Sequence, residues 1–140
     1  MTSKRTVLDY LTDIADAIDA APAFVAGMDA AQFRADRRTV YAVTHALEIV
    51  GEAAKRIPEP VRARYPAVPW RLMAGMRDRL IHGYNTVDID VLWKTLTEDL
   101  PATSPLIAEV IRLYLTASGS RTRNPGRSSA TLGSWSLAWS

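Results

Sequence analysis

Apolar positions recur at intervals of three and four along most of this chain and nowhere alternate with period two for long. Val7, Leu8, Leu11, Ile14, Ala15 and Ile18 form one stripe, with Asp9, Asp13, Asp16 and Asp19 on the remaining faces. That spacing predicts an amphipathic helix over about 5–20, ended by Pro22. Asp29 is placed to cap a new helix. Val40, Val43, Ala46, Leu47, Val50, Ala54 and Ile57 then line one side of a long helix over about 37–57, stopped before Pro58. Gly51 inside it costs about 1 kcal/mol relative to alanine and marks close approach of a second helix. Residues 58–69 hold four prolines and read as a connector, with Pro69 opening a helix over about 70–82 and Gly83 capping it. Asp88 or Asp90 begins a further helix carrying Val91, Leu92, Leu96 and Leu100, which Pro101 breaks or kinks. Ser104 and Pro105 then start a last helix to about Leu115. The fold class is all-α, an up-and-down bundle of four to five helices. The expected domain is 1–116. The segment 117–140, rich in Ser, Gly, Thr and Arg, is expected to be a disordered tail in which Trp135 and Trp139 dock on the bundle or on a partner.

Composition narrows the classes. The apolar fraction of 48% supports one globular core in 140 residues. No apolar run approaches the roughly 18–20 residues that span a bilayer, and acids interrupt the N-terminal stretch where a signal sequence would be apolar. With no cysteine and two histidines, disulfides and thiolate sites are excluded and a His-rich zinc site is not expected. The chain reads as cytoplasmic, with no membrane partner, cofactor or metal.

The net charge of +2 conceals an uneven layout. Residues 34–79 hold ten basic and five acidic side chains, whereas 1–33 and 80–115 each hold two basic and five acidic. A basic middle suits a phosphate-bearing partner or simply solvates helix faces. Arg34, Arg37, Arg38 and Arg79 are candidate RNA-backbone contacts and equally ordinary surface residues.

The stretch RDRLIHGY, Arg77 to Tyr84, concentrates the candidate chemistry. Arg77 and His82 are five residues apart, about 140° around a regular helix. They do not converge on one ligand within one chain unless the last turn loosens or a second copy contributes. Asp78 and His82 share a face, so the carboxylate is expected to support the imidazole. An arginine that binds phosphate and a histidine that moves a proton suit metal-independent RNA cleavage, in which the ribose 2′-OH attacks the adjacent phosphorus. By spacing alone this is a weak pattern. His45 reads as a hydrogen-bonded interior or surface histidine, and Glu48, Glu52, Lys55 and Arg56 as an ion-paired face.

Three stretches taken together are more specific. LEIVGEAAKRI (47–57), VPWRLMAGMRDRLIHGY (68–84) and VDIDVLWKTLTEDLP (87–101) resemble, in order and spacing, the HepT-like toxins of the HEPN family over about residues 4–115. The resemblance implies a homodimer whose motif helices meet at a composite cleft. It implies a toxin ribonuclease with Arg77 and His82 catalytic and RNA as substrate. It further implies a cognate minimal nucleotidyltransferase antitoxin that transfers AMP onto Tyr84. The family often has Asn where this chain has Asp78, and the tail is no part of the family core. A non-catalytic helical module that binds a nucleotidyltransferase, and a bundle with an incidental polar helix end, are the competing readings.

Overall fold

The computed structural model describes residues 4–83, 87–119 and 135–139. Helix α1, Val7–Phe24, begins with a capping box in which Thr6 and Asp9 satisfy each other's backbone amides. It runs past Pro22, contrary to expectation. Ile18 and Ala21 remain buried one turn earlier, and a proline this close to the end leaves the helix little ladder to lose. A loop with Gly27 at φ +81° leads to α2, Ala30–Ala35, whose Asp29–Gln32 pair is a second capping box. Asp36 caps α3, Arg37–Arg56. The proline-rich connector contains one short helix, α4, Glu59–Arg64.

Helix α5, Trp70–His82, follows Pro69. Trp70 anchors its start by donating Nε1–H to the Tyr65 carbonyl at 3.0 Å. Met73, Met76 and Leu80, spaced three and four apart, bury its inner stripe. Gly83 caps it without a left-handed conformation, at φ −128°, and donates to Arg79 O.

Ile89–Lys94 forms α6, capped by Asp88, and leads through a π-helical turn, Thr95–Asp99, into α7, Leu100–Gly119. The sequence suggested two helices separated near Pro101. The structure has one continuous helical run, with Pro105 inside it. The π turn shifts the ladder ahead of Pro101, where Leu100 N–H reaches back to Thr95 O. Leu96, Leu100, Ile107 and Val110 keep one face of the run buried across both prolines.

Four long helical units thus build the bundle, with α2 and α4 as short connectors, and no strand occurs among the described residues. The main packing pairs are α1 with α3, α3 with α5 and α1 with α7. Helices α1 and α3 run antiparallel: Phe24 lies near Ala42, and Arg5 near Arg56. Leu11, Ile14, Val43, Leu47, Val50, Met73, Met76, Leu96 and Leu100 are fully buried at the centre. Of the two seats the sequence left open for Trp135 and Trp139, the bundle is the one occupied. A 3₁₀ turn, Leu137–Trp139, is seated on the bundle, with Trp135 and Trp139 both buried. The rest of the expected tail, 120–134, lies outside the described residues.

Candidate functional site on helix α5

Arg77 owes its position to a glycine on another helix. A Cβ built on Gly51 of α3 would stand 2.2 Å from Arg77 Cβ and 2.7 Å from the Met73 carbonyl. Only the absence of a side chain lets α3 and α5 approach here, as the sequence suggested. The guanidinium then emerges with its side chain one-quarter exposed. Its Nε lies 3.0 Å from Glu52 Oε2, but off the N–H axis, so the contact is an ion pair and not a hydrogen bond. Its Nη1 donates to Asp78 Oδ1 at 3.2 Å.

Asp78 also accepts from Lys55 Nζ at 2.9 Å. The Lys55 and Arg77 hydrogen bonds hold its carboxyl below the usual carboxylate range. Among the described residues no hydrogen bond joins Asp78 to His82, although the two share a face. In the single chain that carboxylate bridges α3 and α5, held by the Lys55 and Arg77 cations.

His82, the last residue of α5, is exposed. Arg77 and Ile81 line an open groove of about 580 Å³ with Arg5, His45, Glu52 and Arg56, and His82 is not among its lining residues. One chain therefore presents the arginine and the histidine on different aspects of α5, as the helical angle requires. Tyr84 lies outside the described residues.

The groove continues along α1 and α3 into an apolar depression of about 390 Å³ lined by Ala17, Phe24, Ala46 and Ile49. Phe24, Ile49 and Ile81 are large apolar side chains left 46%, 36% and 41% exposed there.

The candidate RNA-backbone arginines are scattered. Arg34 pairs with Asp90, Arg37 donates to Tyr41 Oη at 2.9 Å, and Arg38 is exposed on α3. Arg37 is about 21 Å along α3 from Gly51 and hence from Arg77. Arg79 is exposed on α5, away from the groove. The cations the groove does gather, Arg5 and Arg56, were not singled out as contacts. Arg56 was legible only as part of an ion-paired face, which it is, at 3.1 Å from Glu52. Part of the basic middle of the chain is matched by acids in this way: Arg62 with Glu59, Lys55 with Asp78, Arg77 with Glu52. His45 is exposed, 3.9 Å from Glu48. Among the described residues no group of three or more His, Asp or Glu side chains could hold a metal ion, and no helix is long and apolar enough to cross a membrane.

The chain is thus a helical bundle with an arginine at the mouth of a groove and a histidine at the end of the same helix. Residues 14–110 match the family model described as ribonuclease HepT-like, and the chain belongs to that family. A protein of Thermococcus cleftensis named as a probable ribonuclease HepT is 50% identical over 99 residues, covering 71% of this chain and 90% of that relative. A protein of Methanocaldococcus jannaschii named as a candidate RNase is 37% identical over 109 residues, covering 78% of this chain and 94% of its own. No solved structure matches the chain at a significant level. By family, then, the protein is a HepT-like ribonuclease.

Proposed function

We propose that the protein is the toxin of a toxin–antitoxin pair, a metal-independent endoribonuclease that works as a homodimer and is silenced by AMP on Tyr84. The observation that carries this reading is the position of Arg77. It stands in an open groove, held by Gly51 beneath it and flanked by exposed Ile81. Exposed apolar side chains beside a catalytic-type cation favour a second copy covering the groove. A second copy also removes the angular problem, because two chains supply two arginines and two histidines from different directions.

In the proposed reaction the ribose 2′-oxygen attacks the adjacent phosphorus and the P–O5′ bond breaks, leaving a 2′,3′-cyclic phosphate and a 5′-hydroxyl. One His82 accepts the 2′-OH proton, and the other returns a proton to the departing 5′-oxygen. The Arg77 guanidinium binds the phosphate oxygens and stabilises the charge that builds on them. An incoming phosphate has to displace Glu52 and Asp78 from Arg77. Both carboxylates are about half open to solvent, which holds such pairs to about 1 kcal/mol, so the exchange is affordable. They orient the guanidinium in the free protein more than they hold it.

Tyr84 directly follows the cap of the site helix. A cognate nucleotidyltransferase that transfers AMP from ATP to its hydroxyl, releasing pyrophosphate, places a negative phosphate where RNA phosphate is needed and repels the substrate. The test is intact mass and cleavage before and after incubation with ATP and that enzyme. Wild type is expected to gain AMP and lose activity, whereas Tyr84→Phe cleaves and resists silencing. A Tyr84→Phe protein silenced as fully as wild type contradicts the modification site.

A further inference from the structure

The C-terminal segment grips α5 on the face opposite Gly51. Gly75 lies two residues from both Met73 and Arg77, about 200° around the helix from each. A Cβ built on Gly75 would stand 2.3 Å from the Trp139 carbonyl oxygen, and it meets nothing else but that carbonyl group. Backbone therefore lies against backbone. On its other side α5 packs along α3, and no other described element touches α5 as extensively as these two.

The segment is bound by a built receptor. Thr95, Asp99 and Thr103 are the three buried polar residues among the described ones, and their spacing puts them in one stripe along the π turn and α7. Each is engaged by the C-terminal segment. Trp139 Nε1–H donates to Thr95 Oγ1 at 3.0 Å, and Trp135 Nε1–H to Thr103 Oγ1 at 2.8 Å. Ser136 N–H donates to Asp99 Oδ2 at 3.4 Å, while Asp99 Oδ1 accepts from Lys94 at 3.0 Å. Both threonine hydroxyls donate to the carbonyl four residues back, which leaves a lone pair for each indole. Buried polar groups without partners are costly, so this stripe is matched to the segment that covers it. The indoles are 4% and 3% exposed.

The turn sits at the functional end of α5. Ala138 and Trp139 share a small cavity of about 100 Å³ with Arg79, Gly83, Val87 and Val91. Arg79 lies on the last turn of α5 and Gly83 is its cap, while Val87 precedes α6 and Val91 lies on it. The family match ends at residue 110, ahead of Trp135, so this second wall is no part of the matched region.

We propose that Trp135 and Trp139 are positioning residues: they clamp the end of α5 against α3 and so fix where His82 stands. The inference rests on the reading of α5 as the site helix. The test uses the full chain as wild type, Trp135→Ala/Trp139→Ala, Trp139→Phe and Gly75→Ala. Hydrogen exchange across 79–83 and steady-state RNA cleavage are measured for each.

Releasing the indoles is expected to speed exchange across 79–83 at least tenfold, with α1 unchanged. The same change is expected to lower kcat at least tenfold while KM stays within about twofold. Trp139→Phe, which keeps one aromatic ring in the seat and loses the indole hydrogen bond, is expected to fall between. Gly75→Ala acts in the same direction by pushing on the Trp139 carbonyl, and adds nothing once both tryptophans are gone. Should the double variant fail to fold, Trp139→Phe and Gly75→Ala decide the matter. Unchanged exchange across 79–83 overturns the proposal, and so does faster exchange with wild-type kcat. Were the wild type itself unable to cut RNA, the ribonuclease reading would fail alone, and the exchange arm would still decide whether the segment holds α5.

Discussion

Arg77 is the residue around which the site is arranged, and each of its neighbours makes a separate prediction. Gly51→Ala gains about 1 kcal/mol of helix propensity. It also drives a methyl group into Arg77 Cβ and the Met73 carbonyl, at distances a rigid helix pair cannot absorb. Overpacking of this kind costs about 1–3 kcal/mol, so the clash wins. The variant is expected to unfold at lower urea concentration and to cleave more slowly, because Arg77 moves with the displaced helix. Asp78→Asn removes one of the acids that compete with RNA phosphate. Its KM for RNA is expected to fall about threefold, on the scale of one exposed ion pair, with a steeper dependence on salt.

The same carboxylate has a pH signature. Lys55 and Arg77 hold the Asp78 pKa below its ordinary value. Its contribution to stability is therefore present above the unfolded value, about 3.9, and is lost as pH falls through the depressed folded value. Asp78→Asn should flatten that part of the acid limb, measured as urea midpoints at pH 3 and pH 6. The motif itself was readable from the sequence, since Arg77, His82 and Tyr84 fall within eight residues. The partner of Asp78 was not. Nothing in local spacing says that Lys55, 23 residues away, crosses to it.

At the level of elements, helical periodicity carried most of the architecture. The caps at Asp29, Asp88 and Gly83 and the close approach at Gly51 stand where sequence signals placed them. Prolines misled twice. Pro22 lies inside α1, and Pro105 inside a helix it was expected to start. Local rules price a proline by its lost hydrogen bond. Here the apolar stripes of Ala21 and Val25, and of Leu100 and Ile107, continue through, and their burial outweighs that loss. The π turn absorbs the remaining misfit at Pro101 and has no simple sequence mark. It follows that Pro105→Ala should stabilise α7 without moving the site. A higher thermal midpoint with unchanged cleavage is the expected result.

For the whole molecule, the bundle presents one side as a mixed groove, with Arg77 at one end and apolar residues beyond. Replacing Ile81 with Asp introduces a charge where a second copy is expected to pack, and Ile81 is 41% exposed in the single chain, so the monomer itself loses little. Sedimentation should show a dimer for wild type and a monomer for Ile81→Asp, with cleavage lost in the monomer. An Ile81→Asp protein that stays dimeric and active would place the partner surface elsewhere. The tryptophans at the chain's end show the limit of reading from composition. Bundle and partner both stayed open as their seat, because the polar stripe that receives them is assembled from residues of the π turn and α7, visible only after folding.

The central claim is that His82 and Arg77 cut RNA through the 2′-hydroxyl. The most direct measurement is cleavage of mixed RNAs in excess EDTA by wild type and His82→Ala, both verified by intact mass to be free of AMP. Cleavage by wild type alone, with 2′,3′-cyclic phosphate ends and an intact His82→Ala fold, is the predicted result. Cleavage by His82→Ala at the wild-type rate would contradict it.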